Sequence, residues 1–518
     1  MKTFIALLLF INIAYTQTTD IIWQNTINAS DFDTVFTALT LSDGSSLVVA
    51  TSDSNASGDK SENSNGGNDI WLIRLDAQGD ILWEETLGGS LSDFINSAQE
   101  TTDGGFILAG GSKSDISGDK TENNIGENDV WVIKINATGT IEWQNTIGGT
   151  NSDSARAIAL TNDGGYIVSA SSESGISGDK TEGRKGQIDI WLLKLNSSGT
   201  LQWQNTIGSN GDDIPTVVGQ TNDGGYIIGG YSNSDAEDDK SEGVSGFNDF
   251  WVIKTDNLGV IEWENTIGGN ASDILRDLVI LDNDNFVLAG YSDSNISLDK
   301  TQDSRGTFDY WIVELAANGS ILGQSTIGGD DEDFAFDIKV TTDGNYLIAG
   351  QSKSDTSGEK LKDSNGAIDY WPVKIDNNGT ILWQETIGGN ANDNLVCAAE
   401  TDNGYILYGH SFSDVNGDKD ENSDFIDPWI VKLNKEPTFS IEDDTLNKIT
   451  VYPNPSSSIV FLNNKENELL VLMDILGNEI QRTTKSQIDI SNLTSGVYLV
   501  KIFDQKKGLI SVKKIIKP

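Results

Sequence analysis

Three groups of residues could do chemistry. Asp414, Asn416, Asp418 and Asp420 place oxygens at positions 1, 3, 5 and 7 of one loop, as a hard cation such as Ca²⁺ requires. That loop departs from a full calcium loop twice: Lys419 stands where the sharp turn wants Gly, and position 12 is Phe425 rather than an acid. Tyr231, Tyr291 and His410 form the second group, aromatic rings able to stack on a sugar or a peptide. The third is the thiol of Cys397, whose sole possible imidazole base is His410, the only histidine. Cys397 lies in the apolar run Leu395-Val-Cys-Ala-Ala, which suits a small buried residue, and a single cysteine excludes an intramolecular disulfide. With 79 Asp and Glu in the chain, two carboxylates within reach of each other identify no glycosidase pair.

The elements that position these groups are repeats. Trp71, Trp131, Trp191, Trp251, Trp311 and Trp371 recur every 60 residues, with Trp429 after 58. Trp23, Trp83, Trp143, Trp203, Trp263 and Trp383 form a second series on the same period. Each period holds four short strand-like segments, a to d, separated by Gly, Asn, Asp and Ser. In one unit they are 155–160, 165–171, 189–195 and 200–206. Segments b and c are apolar on both alternations, as strands covered on both faces are, whereas d alternates like an outer strand. Four antiparallel strands per unit predict a β-propeller blade, and the seven copies of each type predict seven blades. The first d segment, Asp20 to Thr26, precedes every other strand and so must complete the last blade, closing the ring. Tyr231, Tyr291 and His410 then stand just after segment b, where the other units carry Thr51, Gly111, Ser171 and Gln351.

Residues common to all units answer to shared geometry. Asp33 and Asp69 head two sevenfold aspartate series, read as caps on turn amides, and Lys60 heads a lysine series, read as pairing with a carboxylate. The cation at position 74 and its equivalents becomes Glu314 once, and the tryptophan of the following d segment is then Gly323. Those two positions are expected to face each other across the c–d hairpin, cation against indole.

Charge narrows the partners. Residues 17–444 hold 73 acidic and 23 basic residues, a net charge of −50, which opposes nucleic acid and anionic membranes. From Thr445 onward the balance reverses to +4. At the other end, Lys2, the apolar stretch Phe4 to Ala14 and a small-x-small site before Gln17 predict a signal peptide over 1–16, too short to span a bilayer. No other long apolar run occurs, and a monomeric exported protein is expected.

After residue 434 the repeat stops. Residues 435–448 read as a linker and 449–518 as a small β-sandwich. The blocks Tyr452-Pro453-Asn454-Pro455, Asp474-Ile-Leu-Gly477, Gly496-Val-Tyr498-Leu and Lys513-Lys514-Ile-Ile resemble the type A sorting domain of the Bacteroidetes type IX secretion system. That resemblance implies export across the outer membrane by the type IX machinery, with surface attachment or release. The repeats, over 20–434, resemble bacterial Asp-Gly-Gly-Tyr-Ile seven-bladed propeller repeats, which imply a fold and no activity. The Asp414 loop is similar to the start of EF-hand and dockerin loops. Three functions stay open: binding or adhesion to a glycan or protein, a polysaccharide lyase or glycosidase, and a purely structural surface protein. A lyase-like Tyr/His arrangement would have to use His410.

Overall fold

A computed structural model of the chain describes residues 21–435, 451–462, 469–473, 479–503 and 509–518. The predicted signal peptide, linker residues 436–448 and Gly477 lie outside the described residues. The chain divides into two compact units, Met1–Lys435 and Glu436–Pro518. All regular structure among the described residues is β.

The first unit is a seven-bladed β-propeller. Each blade is an antiparallel sheet in the order a-b-c-d. In blade 1 the strands are Asp33–Thr40, Ser46–Ser52, Asp69–Leu75 and Ile81–Leu87. In blade 6 Pro372 splits strand c into Asp369–Tyr370 and Val373–Ile375, because proline has no N–H for the ladder. Blade 7 takes its first three strands, Asp393–Thr401, Gly404–Ser411 and Asp427–Asn434, from the end of the unit. Its fourth is Ile21–Thr26, paired Trp23 to Lys432 and Thr26 to Trp429. The a strands touch their neighbours all round, blade 7 against blade 1 included, so they line the axis of a closed ring.

Apolar strands on both alternations become strands buried on both faces. Strands b and c are almost wholly buried, and the core lies between blades: Trp131 of blade 2, for example, packs with Val49, Ile70 and Leu72 of blade 1. Each of the seven c tryptophans donates its indole N–H to a Glu or Gln of strand d, Trp71 to Glu84 at 2.8 Å and Trp429 to Gln24 at 2.9 Å. The aspartate series cap turns as expected: Asp93 accepts from Gly89 N at 2.7 Å and from Ser114 Oγ at 2.9 Å.

The lysine series corrects the expected carboxylate pairing. Lys120 donates to Thr146 Oγ1 (2.6 Å) and Glu122 O (2.9 Å), and its ammonium lies 5.8 Å from the Trp131 ring centroid. Burial lowers the pKa of this lysine, and takes Lys180, Lys300, Lys360 and Lys419 down to about 8.

The c–d register is as expected, Lys134 opposite Trp143 and Glu314 opposite Gly323, but the contact is not. Lys134 turns to Asp103 of the a–b turn (3.1 Å) and to Glu142 (3.1 Å). Trp143 instead covers Gly199 of the next blade's hairpin, at φ +80°, where a Cβ would lie 2.4 Å from the indole.

The second unit packs strands 451–452, 459–462 and 487–489 as one sheet, and 469–473, 479–483, 496–503 and 509–517 as another. Val460, Leu470, Leu472, Ile488, Val500 and Ile515 fill its core. Asn454 holds the last strand, donating to Lys514 O (2.7 Å) and accepting from Ile516 N (2.8 Å). Tyr452 stacks on Phe461 of the neighbouring strand, next to Pro453, and buried Tyr498 donates to Thr494 O (2.8 Å). Pro455 precedes Ser456, whose N–H bonds Ile516 O at 3.0 Å. Lys513 and Lys514 pair with Val500 and Leu499, three and two residues after Val497 in the strand begun by Gly496.

Candidate functional site

Every a strand carries one β-bulge at its fourth residue. The register slips there in all seven blades, leaving Phe36, Asn96, Arg156, Thr216, Arg276, Phe336 and Val396 without a ladder partner. A bulge bends its strand and re-aims its side chain. On the innermost strands two of these side chains meet across blades: Arg276 of blade 5 sits 5.2 Å over the Phe336 ring of blade 6. Arg156 of blade 3 feels the charge of Arg276 two blades away.

Around these arginines the ends of strands b complete the mouth of the channel, on the rim that bears the d–a turns and b–c loops. Arg156 Nε donates to Ser171 Oγ at 3.1 Å. Tyr231 and Tyr291, each opposite the second residue of its own a strand, are half-buried beside them. Tyr291 packs edge-on against Phe334 (4.8 Å), Phe308 (5.5 Å) and Phe336 (6.4 Å). Its phenol pKa is raised, chiefly by desolvation, with Arg276 opposing and Tyr231 adding to the shift. Solvent reaches Arg156, yet surrounding protein desolvates its guanidinium and lowers its pKa. Phe336 joins Arg276 (5.2 Å) to Tyr291 (6.4 Å), and Arg156 and Tyr231 hold the equivalent bulge and strand-b positions of blades 3 and 4, so the four line one rim of the channel as a cluster.

Its charge is unusual for this chain. Among the described residues no carboxylate lies within ion-pair distance of either guanidinium, although Asp and Glu outnumber Lys and Arg 79 to 34. Asp277, next to Arg276 in the chain, and Asp337, next to Phe336, are engaged by other partners. Asp277 accepts from Ile338 N (3.1 Å) and Lys339 Nζ (3.2 Å), and Asp337 from Lys339 and Ala398 N (3.2 Å). Burial raises Asp337 to about 6, with Lys339 opposing and Asp277 adding to the shift.

His410 stands apart from the two tyrosines, in blade 7. Its Nε2 is 3.2 Å from Asn394 Nδ2, and desolvation lowers its pKa to about 4, so it is neutral at physiological pH. Cys397 directs its thiol to Ala38 O (3.8 Å), and burial raises its pKa well above the ordinary thiol value. Burial disfavours the thiolate that a nucleophilic cysteine needs.

The Asp414 loop does not gather its oxygens. Asp418 turns to blade 6, accepting from Gly388 N (3.3 Å) and Asn365 Nδ2 (3.0 Å), the seal that Asp119 makes to Gly88 between blades 1 and 2. The Asn416 carbonyl accepts from Lys419 N (3.0 Å). Among the described residues no three His, Cys, Asp or Glu converge as metal ligands, Asp414 and Asp420 included.

The C-terminal unit is decided by its family. Residues 450–518 match the secretion system C-terminal sorting domain. The chain is therefore a β-propeller protein with a type IX sorting tail, exported to the cell surface or beyond. The regulatory protein FlaEY of Caulobacter vibrioides is 25% identical over 169 residues, 31% of this chain but only 17% of that protein. Solved structures of similar fold include a protein of unknown function from Dyadobacter fermentans (8% identity, TM-score 0.40, 80% of this chain and 99% of that one). The WD40 domain of Neurospora crassa Pan2 is another (9%, 0.40, 78% and 94%), and YCF48 bound to a D1 peptide a third (10%, 0.37, 80% and 96%). The likeness is one of fold, and the site is read from this chain's own residues.

The sequence pointed to Tyr231 and Tyr291 but not to the arginines that complete their cluster. A signal was available: two of the chain's six arginines occupy the same repeat position, where the other units carry Phe, Asn, Thr and Val.

Proposed function

We propose that the protein is an exported binding module whose ligand docks at the channel mouth between blades 3 and 6. The observation that carries this reading is the break in sevenfold symmetry. Positions that serve the fold repeat in every blade, while Arg156 and Arg276 stand where the other units carry Phe, Asn, Thr or Val, and Tyr231 and Tyr291 where they carry Thr, Gly, Ser, Gln or His. A propeller presents its axial mouth as a concave, rigid surface, the usual place for unlike residues to act. On this reading residues 1–16 are removed as a signal peptide, the propeller begins near residue 17, and residues 449–518 engage the type IX machinery.

Glycan and peptide arrays probed with the full chain and with Arg156→Gln/Arg276→Gln test it. Hits that the double variant loses are expected. Hits of equal strength on both proteins would place recognition elsewhere and contradict the reading.

A further inference from the structure

We infer that the mouth takes an acidic saccharide, a chain bearing uronate carboxylates, held by Arg156 and Arg276 together. The inference rests on the binding reading above and gives it a ligand class. A guanidinium presents a planar fork of donors that matches a carboxylate, and a pair lacking protein carboxylates leaves that capacity unfilled. Within residues 17–444, whose net charge is −50, such a pair attracts an anion where the surrounding surface repels it.

Two further observations choose the saccharide over an acidic peptide. An extended peptide gains affinity by hydrogen bonding to an unpaired strand edge. Here the inner edges of the a strands of blades 3, 6 and 7 are already engaged by neighbouring blades. Ser97 Oγ accepts from Ile158 N (3.2 Å), Asp277 from Ile338 N, Asp337 from Ala398 N, and Asn96 Nδ2 donates to Ala155 O (2.8 Å). What stands beside the arginines are the Ser171 hydroxyl, which accepts from Arg156, the half-buried Tyr231, and the half-buried Phe336 ring 5.2 Å from Arg276. Hydroxyl donors beside an aromatic ring suit the hydroxyls and C–H faces of a sugar.

The test is calorimetric titration of the full chain with a tetramer of galacturonic acid, a neutral tetramer of galactose, and a poly-glutamate peptide of equal charge. The acidic tetramer is expected to bind, with affinity falling as salt rises. Arg156→Gln and Arg276→Gln should each weaken it roughly tenfold or more, Arg276→Lys less than Arg276→Gln, with melting temperatures unchanged. Binding of the neutral tetramer alone, or of the peptide in preference, would overturn the saccharide inference and leave the binding reading standing. Binding of none of the three, with no array hit lost on removing the arginines, would overturn both.

Discussion

At the scale of the residue, the same side chain does different work according to which strand presents it. The c indoles are fully buried and hydrogen-bonded, whereas Trp23, Trp83, Trp143, Trp203 and Trp263 of the d series are half-buried covers on a neighbouring glycine, and Trp383 is buried against Tyr405. Trp131→Ala should therefore cost about 3–5 kcal/mol in unfolding free energy and Trp143→Ala clearly less, as denaturant titration would report. Lys134 and Trp143 face each other in register without sharing a bond, while Lys134 reaches the exposed Asp103. A double-mutant cycle should give a coupling of about 0.2–1 kcal/mol for Lys134 with Asp103, and none beyond error for Lys134 with Trp143. The opposite ranking would restore the cation–indole pair. The register was legible in the sequence because it follows from hairpin length. The partner was not, because a long lysine stem can turn to whichever acid the neighbouring turn offers.

At the scale of the element, strand Ile21–Thr26 is the latch of the ring. It supplies Gln24 to the Trp429 indole, Thr26 to the Lys419 ammonium (2.6 Å) and Trp23 to cover Gly79 of blade 1. Removing residues 21–26 should lower the melting temperature and yield aggregates on size-exclusion chromatography, because strand Asp427–Asn434 becomes an open edge. A monomer with the parent's melting temperature would refute the latch. The strand was legible from the one d segment that precedes all others. The a-strand bulge was not: it comes from packing seven strands round an axis, and no turn residue announces it. Half of the candidate site was therefore hidden, since the bulge is what brings Arg156 and Arg276 to the axis. The Asp414 loop shows the converse, a spacing legible for calcium whose Asp418 is needed between blades. Asp418→Ala should lower stability rather than calcium affinity, with both read on one sample by thermal melting with and without Ca²⁺.

At the scale of the whole molecule, buried acids set the pH response. Burial raises Asp33 to about 7 and Asp249, Asp333, Asp369 and Asp427 to about 6. An acid whose folded pKa is raised contributes stability that is full below its ordinary value of 3.8, lost as pH climbs through 6 to 7. Asp103, Asp163 and Asp223 are lowered to about 2, so their contribution stands above 3.8 and goes only as pH falls through 2. The buried lysines, at about 8, favour the fold at alkaline pH, and that contribution has already gone below about pH 7. The melting temperature should rise as pH falls from 7 to 5, and the lowered net negative charge acts in the same direction. A flat or falling profile in that window would contradict the burial of these acids.

Export belongs to this scale as well. A chain ending at residue 448 should accumulate in the periplasm, and surface display of that truncation would count against the role of the tail. The binding account is tested most directly by hydrogen exchange of the full chain, with and without the strongest array ligand. Protection is predicted at 154–158, 169–171, 229–231, 274–278 and 289–291, around Arg156, Tyr231, Arg276 and Tyr291. Protection confined to the outer d strands, or to the opposite rim at 41–45 and 401–403, would contradict it.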